Sequence, residues 1–370
     1  MLTRGLWAIV QGSAGLLVTC FLIGYAAPYL PPHPFWWANL LAVGLWPLAL
    51  GTGLVTLALA GTALYRRRWL PGGIALVLAL LLASRFGPSL GERPPSSPSE
   101  GLRVMSFNVP GMHTGDGAAL DLAALLARER PSVLALQESR VHTPASSDRR
   151  ISVSPSLQEV FRGSTGYTLP QSLPYRTVIQ QPVFGRILID SLRVHPLPPD
   201  GDASARSRFT QTYFRWENRP VMLFNLHLHT VGRMRPWDEP GAWADWGRWK
   251  AFLRTYRTGV RHRADQARVV RRAIDRAAVP VLVTGDFNST RHQWAYRHIA
   301  QGLQDAVEKR GRGWTATFPA GSPLVRIDHI LAGPEWHVRS AKVPSLDGYE
   351  GASDHRPVVA TLQWRPRPPE

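Results

Sequence analysis

Val281-Leu282-Val283-Thr284-Gly285-Asp286-Phe287-Asn288 is the stretch whose reading decides the fold. An apolar, β-branched run of this length reads as a buried strand. Its abrupt end in Gly-Asp-x-Asn delivers a carboxylate and a carboxamide at the strand's C-terminal end, where α/β proteins carry their chemistry. An Asx-rich turn closing a core strand accounts for the same residues. Taken alone, they leave both readings open.

Five other segments bear on the choice. Val104-Met105-Ser106-Phe107-Asn108 reads as a strand ending in Asn, Val133-Leu134-Ala135-Leu136-Gln137-Glu138 as one ending in Glu, and Leu223-Phe224-Asn225-Leu226-His227 as one ending in His. Asp328-His329 lies between Val325-Arg326-Ile327 and Ile330-Leu331, and Ser353-Asp354-His355-Arg356-Pro357 leads into Val358-Val359-Ala360. A satisfied surface polar group explains any one of these. Six strand-like segments, each bearing a group that binds metal or moves a proton, point to one shared site.

The ordered set resembles the endonuclease/exonuclease/phosphatase superfamily, which includes pancreatic deoxyribonuclease, abasic-site endonucleases, inositol polyphosphate phosphatases and neutral sphingomyelinases. The matching motifs are Ser-Phe-Asn at 106–108, Gln-Glu at 137–138, Asn-Leu-His at 225–227, Gly-Asp-Phe-Asn at 285–288, Ile-Asp-His at 327–329 and Ser-Asp-His at 353–355. They follow the family's order and span Gly101 to Arg365. The resemblance implies an α/β fold, a deoxyribonuclease-like four-layer sandwich of two mixed β-sheets flanked by helices. The alternating strand and helix patterns agree with it. It also implies a metal-dependent phosphoester hydrolase, with phosphodiesters foremost.

Each chemical task then has a candidate residue. A phosphodiester repels nucleophiles, so a hydrolase must neutralise charge, aim a water and protonate the leaving oxygen. Asn108 and Glu138 supply hard oxygen ligands, which implies Mg²⁺, or Mn²⁺ in its place; the resemblance adds Asp354 near this ion. His355 is a candidate general acid or base because imidazole titrates near working pH. By resemblance Asp328 orients His355, Asp286 and Asn288 contact the nucleophilic water, and His227 contacts a phosphate oxygen or protonates the leaving group. Whether Asp286 or His355 takes the water's proton stays open. Two departures stand out: Val183-Phe184-Gly185-Arg186-Ile187-Leu188-Ile189 replaces the family's Leu-Ser-Arg strand, and no acidic partner for His227 can be located. His229 and His329 read as supporting groups, and no cysteine or His-x₃-His cluster argues for zinc.

The first 90 residues are of another kind. Leu6 to Ala27 is free of charge for 22 residues, Phe35 to Tyr65 for 31 and Trp69 to Ser84 for 16, against about 20 needed to span a bilayer. The expected organisation is a membrane anchor of two or three transmembrane helices over 1–90, a Pro/Ser-rich linker over 91–100 and the catalytic domain over 101–370. Arg4 and Arg66-Arg67-Arg68 place those ends in the cytoplasm. With three spans the catalytic domain is extracytoplasmic; if the third stretch does not cross, it is cytoplasmic.

The formal charge is +17, of which residues 1–100, with six Arg and two Glu, hold +4 and the remainder +13. Such a surface favours polyanions, anionic lipid headgroups or phosphorylated substrates. The one cysteine, Cys20, lies in the first apolar stretch, so the catalytic domain has no disulfide. Trp243, Trp246, Trp249, Leu253 and Tyr256 recur at helical spacing with Arg248, Arg254, Arg257 and Arg261 between them. That pattern is either a core-packed flanking helix or a basic, Trp-rich surface for lipid headgroups or substrate. Expected partners are a phosphoester, DNA or phospholipid, and the lipid bilayer, with no obligate protein partner. A nuclease, a lipid phosphodiesterase or phosphatase, and a non-catalytic receptor that keeps the fold are the three competing functions.

Overall fold

Strands β1 (Leu102–Asn108) and β2 (Val133–Gln137) run parallel, Asn108 opposite Gln137, and both are buried almost throughout, as central strands of a sheet covered on both faces are. The computed structural model describes residues 2–86, 100–109, 115–143, 152–153, 166–174, 177–198, 208–230, 241–311 and 313–365. They fall into two units, Met1–Leu90 with His292–Arg297, and Gly91–Arg291 with His298–Glu370.

In the larger unit one sheet has the order β13-β14-β1-β2-β6, with β6 at Val183–Gly185, β13 at Trp336–Lys342 and β14 at Val358–Trp364. A second has the order β11-β12-β10-β9-β8-β7. Its members are β7 (Ile189–Pro196), β8 (Arg208–Trp216), β9 (Arg219–His227), β10 (Val281–Asp286), β11 (Gln304–Asp305) and β12 (Asp328–Ala332). Both mix parallel and antiparallel pairs. One apolar core joins them, with Val104, Val133 and Val358 from the first sheet and Leu192, Phe214, Leu223, Leu282 and Ile330 from the second. A small third sheet pairs β3 (Val141–His142) with β4 (Ser152–Val153) and β5 (Val178–Ile179). The segment standing in for the Leu-Ser-Arg strand divides between the sheets: Val183–Gly185 is an edge of the first, and Ile189 opens the edge strand of the second.

The smaller unit contains α1 (Leu2–Ala26), α2 (Trp36–Val43), α3 (Leu45–Arg66) and α4 (Trp69–Phe86). Three helices are long and apolar enough to cross a membrane, Gly5–Tyr29, Leu45–Arg66 and Trp69–Phe86. The charge-free run from Phe35 to Tyr65 is two helices, not one, with Gly44 capping both. Pro47 explains the restart: in the first turn of α3 it has no intrahelical N–H to lose. Of the linker expected over 91–100, residues 91–99 lie outside the described residues, as does much of 139–181.

The larger unit also contains the helices α5 (Gly115–Glu129) and α6 (Trp246–Asp275). From Trp246 on, the Trp- and Arg-rich pattern is a single 30-residue helix, with Trp243 in a 3-10 turn before it; the helix is opened by Asp245, whose carboxylate accepts from the backbone N–H groups of Gly247 and Arg248 as an N-cap does. It buries Phe252, Tyr256, Val260, Ala264, Ala267, Val270 and Ile274.

Candidate active site

Strand register assembles the site. Asp286 stands opposite His227 on its parallel neighbour β9 and opposite Asp328 on its antiparallel neighbour β12, so three chemical side chains form one row across the second sheet. Asn108 ends β1 and Glu138 follows β2 in the first sheet. The two sheets are tied next to the site by Gln137, which donates to Asn225 Oδ1 at 2.6 Å, while Asn225 Nδ2 donates to Leu136 O at 2.8 Å.

The backbone is bent at the places where these groups emerge. Gly285 has φ +136°, and a Cβ there would lie 2.1 Å from Leu226 O, so no other residue lets β10 approach β9 this closely. Glu138 (φ 57°) and Asn288 (φ 46°) both occupy the left-handed region. Asn tolerates it; for Glu it costs on the order of 1–3 kcal/mol, a burden typical of functional positions.

Asp286 is the hub. Its Oδ1 accepts from Asn288 N at 2.7 Å, and its Oδ2 accepts from Asn288 Nδ2 at 3.2 Å and Asn108 Nδ2 at 3.1 Å. Asn108 Nδ2 also reaches Glu138 Oε1 at 3.2 Å. His227 Nε2 lies 3.5 Å from Glu138 Oε1 and 3.8 Å from Asp286 Oδ2, so Glu138 and Asp286 are acidic neighbours of His227 that the local sequence does not reveal. His355 donates from Nδ1 to Asp328 Oδ2 at 2.9 Å and holds Nε2 4.0 Å from Asp286 Oδ2. Asn288 spends its amide on Asp286 and on Leu228 O at 3.0 Å, which orients Asp286. Asp354 differs from the rest: its side chain is exposed, and its link to the cluster is the charge felt by His355.

Charge follows from this packing. Burial, and after it the nearby Asp328 carboxylate, raise Asp286 above the ordinary carboxylate range, against His355, His227 and the Asn288 N–H. Burial alone would lower His355, yet Asp328, by charge and hydrogen bond, with Asp286 and Asp354, pushes it up to about 10. The imidazole is thus held as imidazolium.

The donor set fits a hard divalent ion. Asn108 Oδ1 is buried with no hydrogen-bond partner among the described residues, and the partly exposed Glu138 carboxylate stands beside it. An amide oxygen and a carboxylate suit Mg²⁺, which takes few protein ligands and keeps several waters. Asp286, Asp328 and His355 also bring ligand atoms within 4.8 Å of one another, but His355 Nδ1 is already engaged by Asp328.

Supporting residues come both from the motifs and from outside them. Ser353 Oγ donates to Asn108 O at 2.6 Å and accepts from His355 N at 2.9 Å, joining the two halves. On α6, Gln266 Oε1 accepts from His229 N at 2.8 Å and Arg263 Nη1 donates to His229 O at 2.9 Å, so side chains satisfy the backbone just past the end of β9. Arg263 carried a signal: it interrupts the apolar stripe of Tyr256, Val260, Ala264 and Ala267. His329 stands on the opposite face of β12 from Asp328. Its Nδ1 accepts from Arg326 Nη1 at 3.1 Å and its Nε2 donates to Ser289 O at 3.0 Å. Burial lowers its pKa, so this neutral tautomer braces the loop after Asn288.

Two mixed sheets in face-to-face packing, with carboxylates, carboxamides and imidazoles at the ends of their central strands, define a phosphoesterase-type fold. The chain belongs to the Endonuclease/Exonuclease/phosphatase family, whose model matches residues 105–355. Among solved structures it is similar to an endonuclease/exonuclease/phosphatase from Bacteroides vulgatus (18% identity, TM-score 0.53, covering 72% of this chain and 100% of that one). It is also similar to a mannosyl-6-phosphatase of Bacteroides thetaiotaomicron (18%, 0.50, 71% and 100%) and to D. rerio TDP2 complexed with single strand DNA product (16%, 0.51, 72% and 100%). These identities speak for the fold alone. No curated protein matches the chain.

Proposed function

We propose that this chain is a divalent-metal-dependent phosphoester hydrolase, acting foremost on phosphodiesters and tethered to a membrane by its N-terminal helices. The observation that carries the reading is the meeting of Asn108, Glu138, His227, Asp286, Asn288, Asp328 and His355 in one continuous set of contacts of 4.0 Å or less. Asn108 and Glu138 would hold Mg²⁺ or Mn²⁺, with Asp354 nearby. Such an ion, when bound, supplies Lewis-acid neutralisation of phosphoryl oxygen charge.

The protein's own groups divide the remaining work. Asp286, whose carboxyl is raised above the ordinary carboxylate range by burial and the Asp328 charge, is the acceptor for the water's proton, as a carboxylate within reach of the attacking water can be. Asn288 holds Asp286 in position by two hydrogen bonds. His355, charged and steadied by Asp328, donates from Nε2 to an anionic phosphoryl oxygen, and His227 donates to another or to the leaving oxygen. This division assigns proton acceptance to Asp286 rather than His355. Family neighbours include a phosphatase and a protein solved with a DNA product, so both monoesters and nucleic acids belong in a substrate panel beside phospholipids.

The test uses the full chain in detergent with a chromogenic phosphodiester. Hydrolysis should require Mg²⁺ or Mn²⁺, stop with chelator and fall by at least about 10²-fold in Asp286→Ala and in His355→Ala. Undiminished turnover in the double variant would overturn the assignment. Metal-independent binding of a phosphorylated ligand without turnover would mark a receptor instead.

A further inference from the structure

We infer that the exposed N-terminal part of α6, with the turn before it, docks on an anionic bilayer surface. Trp243 and Trp246 are 71% and 63% exposed, although a tryptophan side chain is among the largest apolar surfaces a fold can bury. They stand at the start of a helix whose other face is fully used by the core. Trp249 does not cover them: its Nε1 donates to Trp243 O at 2.8 Å, which fixes the turn and leaves both indoles outward.

One carboxylate, the exposed N-cap Asp245, stands between the indoles and pairs with Arg248 at 3.7 Å; beyond it the charge has one sign. Residues 246–264 include six Arg or Lys and no Asp or Glu, and Arg248, Lys250, Arg254 and Arg257 are exposed. Lys250 Nζ lies 5.8 Å from the Trp246 ring, so cation and indole share one patch. Tryptophan beside Arg and Lys on the outer face of an amphipathic helix is the composition that settles at the headgroup level of a bilayer, indoles among the acyl boundary and cations toward anionic lipid. A nucleic acid would suit the cations and could stack on the indoles. The lipid surface is favoured because this chain carries three helices fit to cross a membrane. Residues 87–101, between α4 and β1, extend to about 50 Å at most, so a bilayer is always within reach at high effective concentration. The inference goes beyond hydrolysis and does not depend on it. It rests on α1, α3 and α4 spanning the bilayer.

The experiment uses the full chain with Cys20→Ser, carrying a nitroxide at Ala244→Cys, an exposed position between the two indoles. A second sample carries it at Leu57→Cys, an exposed position within α3. Both are placed in nanodiscs of phosphatidylcholine with or without phosphatidylglycerol, and power saturation compares oxygen with a water-soluble nickel chelate. Expected is an immersed label at 57 in every disc, and a label at 244 that becomes oxygen-accessible and nickel-shielded only with phosphatidylglycerol. Trp243→Ala/Trp246→Ala and Arg254→Glu/Arg257→Glu should each abolish that contrast while hydrolysis of a soluble phosphodiester is kept. A label at 244 as nickel-accessible in anionic discs as in detergent, with 57 immersed, overturns the docking and leaves the spans standing. Shielding at 244 by a single-stranded oligonucleotide but not by phosphatidylglycerol overturns it in favour of a nucleic-acid surface. A water-exposed label at 57 removes the premise and the inference with it.

Discussion

His355 and Asp286 stand 4.0 Å apart, and the protonation of both is set by burial and by one carboxylate beside them rather than by their own type. Asp328 is that carboxylate: it accepts from His355 Nδ1 and its charge raises Asp286. Asp328→Asn keeps the shape and removes the charge. In chelator, the His355 imidazole should then titrate well below about 10 by NMR, and with metal restored, turnover should fall about 10²- to 10⁴-fold. Stability should respond with a definite sign. A histidine whose folded pKa is raised contributes fully below its unfolded value near 6.5 and loses that contribution as pH climbs through about 10. The gap in melting temperature between the wild type and Asp328→Asn in chelator should therefore be widest at neutral and acid pH and shrink in alkali; a gap that widens with pH would contradict the pairing.

At the scale of elements, the site depends on where β9 ends. Its ladder to β10 reaches His227 opposite Asp286, and beyond that Arg263 and Gln266 of α6 take over the backbone of His229. Gln266 also donates to Pro198 O at 2.7 Å, so it links the helix to the chain after β7. Gln266→Ala frees the His229 N–H and lets His227 drift. A displacement near 1 Å costs on the order of 10²-fold in rate, so kcat should drop with KM little changed, and Gln266→Glu, which keeps the acceptor, should restore part of it. Equal loss of melting temperature in both variants without this kinetic split would reduce Gln266 to packing. This clamp shows what the sequence withheld. Asp286, Asp328 and His355 are legible as candidates because each ends, interrupts or immediately precedes an apolar run, a pattern local to a few residues. Arg263 and Gln266 touch His229 from more than 30 residues away, and only the packing of α6 on the sheet brings them together. For the same reason the run from Phe35 to Tyr65 read as one helix: absence of charge marks apolarity, whereas the break at Gly44 is set by backbone geometry.

On the scale of the whole molecule, the arrangement of charge along the N-terminal helices bears on the compartment in which the site works. Arg66, at the end of α3, and Arg67 and Arg68 immediately after it, precede α4, and clustered arginines between spans are retained on the cytoplasmic side. Arg4 stands at the start of α1, and the stretch from Pro28 to Pro34 has no Lys or Arg. If α1, α3 and α4 each cross once, the chain leaves α4 on the far side and the hydrolase meets extracytoplasmic substrate. Protease added to sealed right-side-out vesicles should then degrade residues 101–370, and inverted vesicles should protect them. Replacing Arg66, Arg67 and Arg68 with Gln removes the strongest retained charge and should yield a mixed population in which part of the domain becomes protected in right-side-out vesicles. Full protection of the unaltered chain in right-side-out vesicles would mean an even number of crossings, with α4 lying outside the bilayer core. Arg85 in the last turn of α4 would then count with Arg66–Arg68 as one cytoplasmic cluster, and the site would face substrates inside the cell.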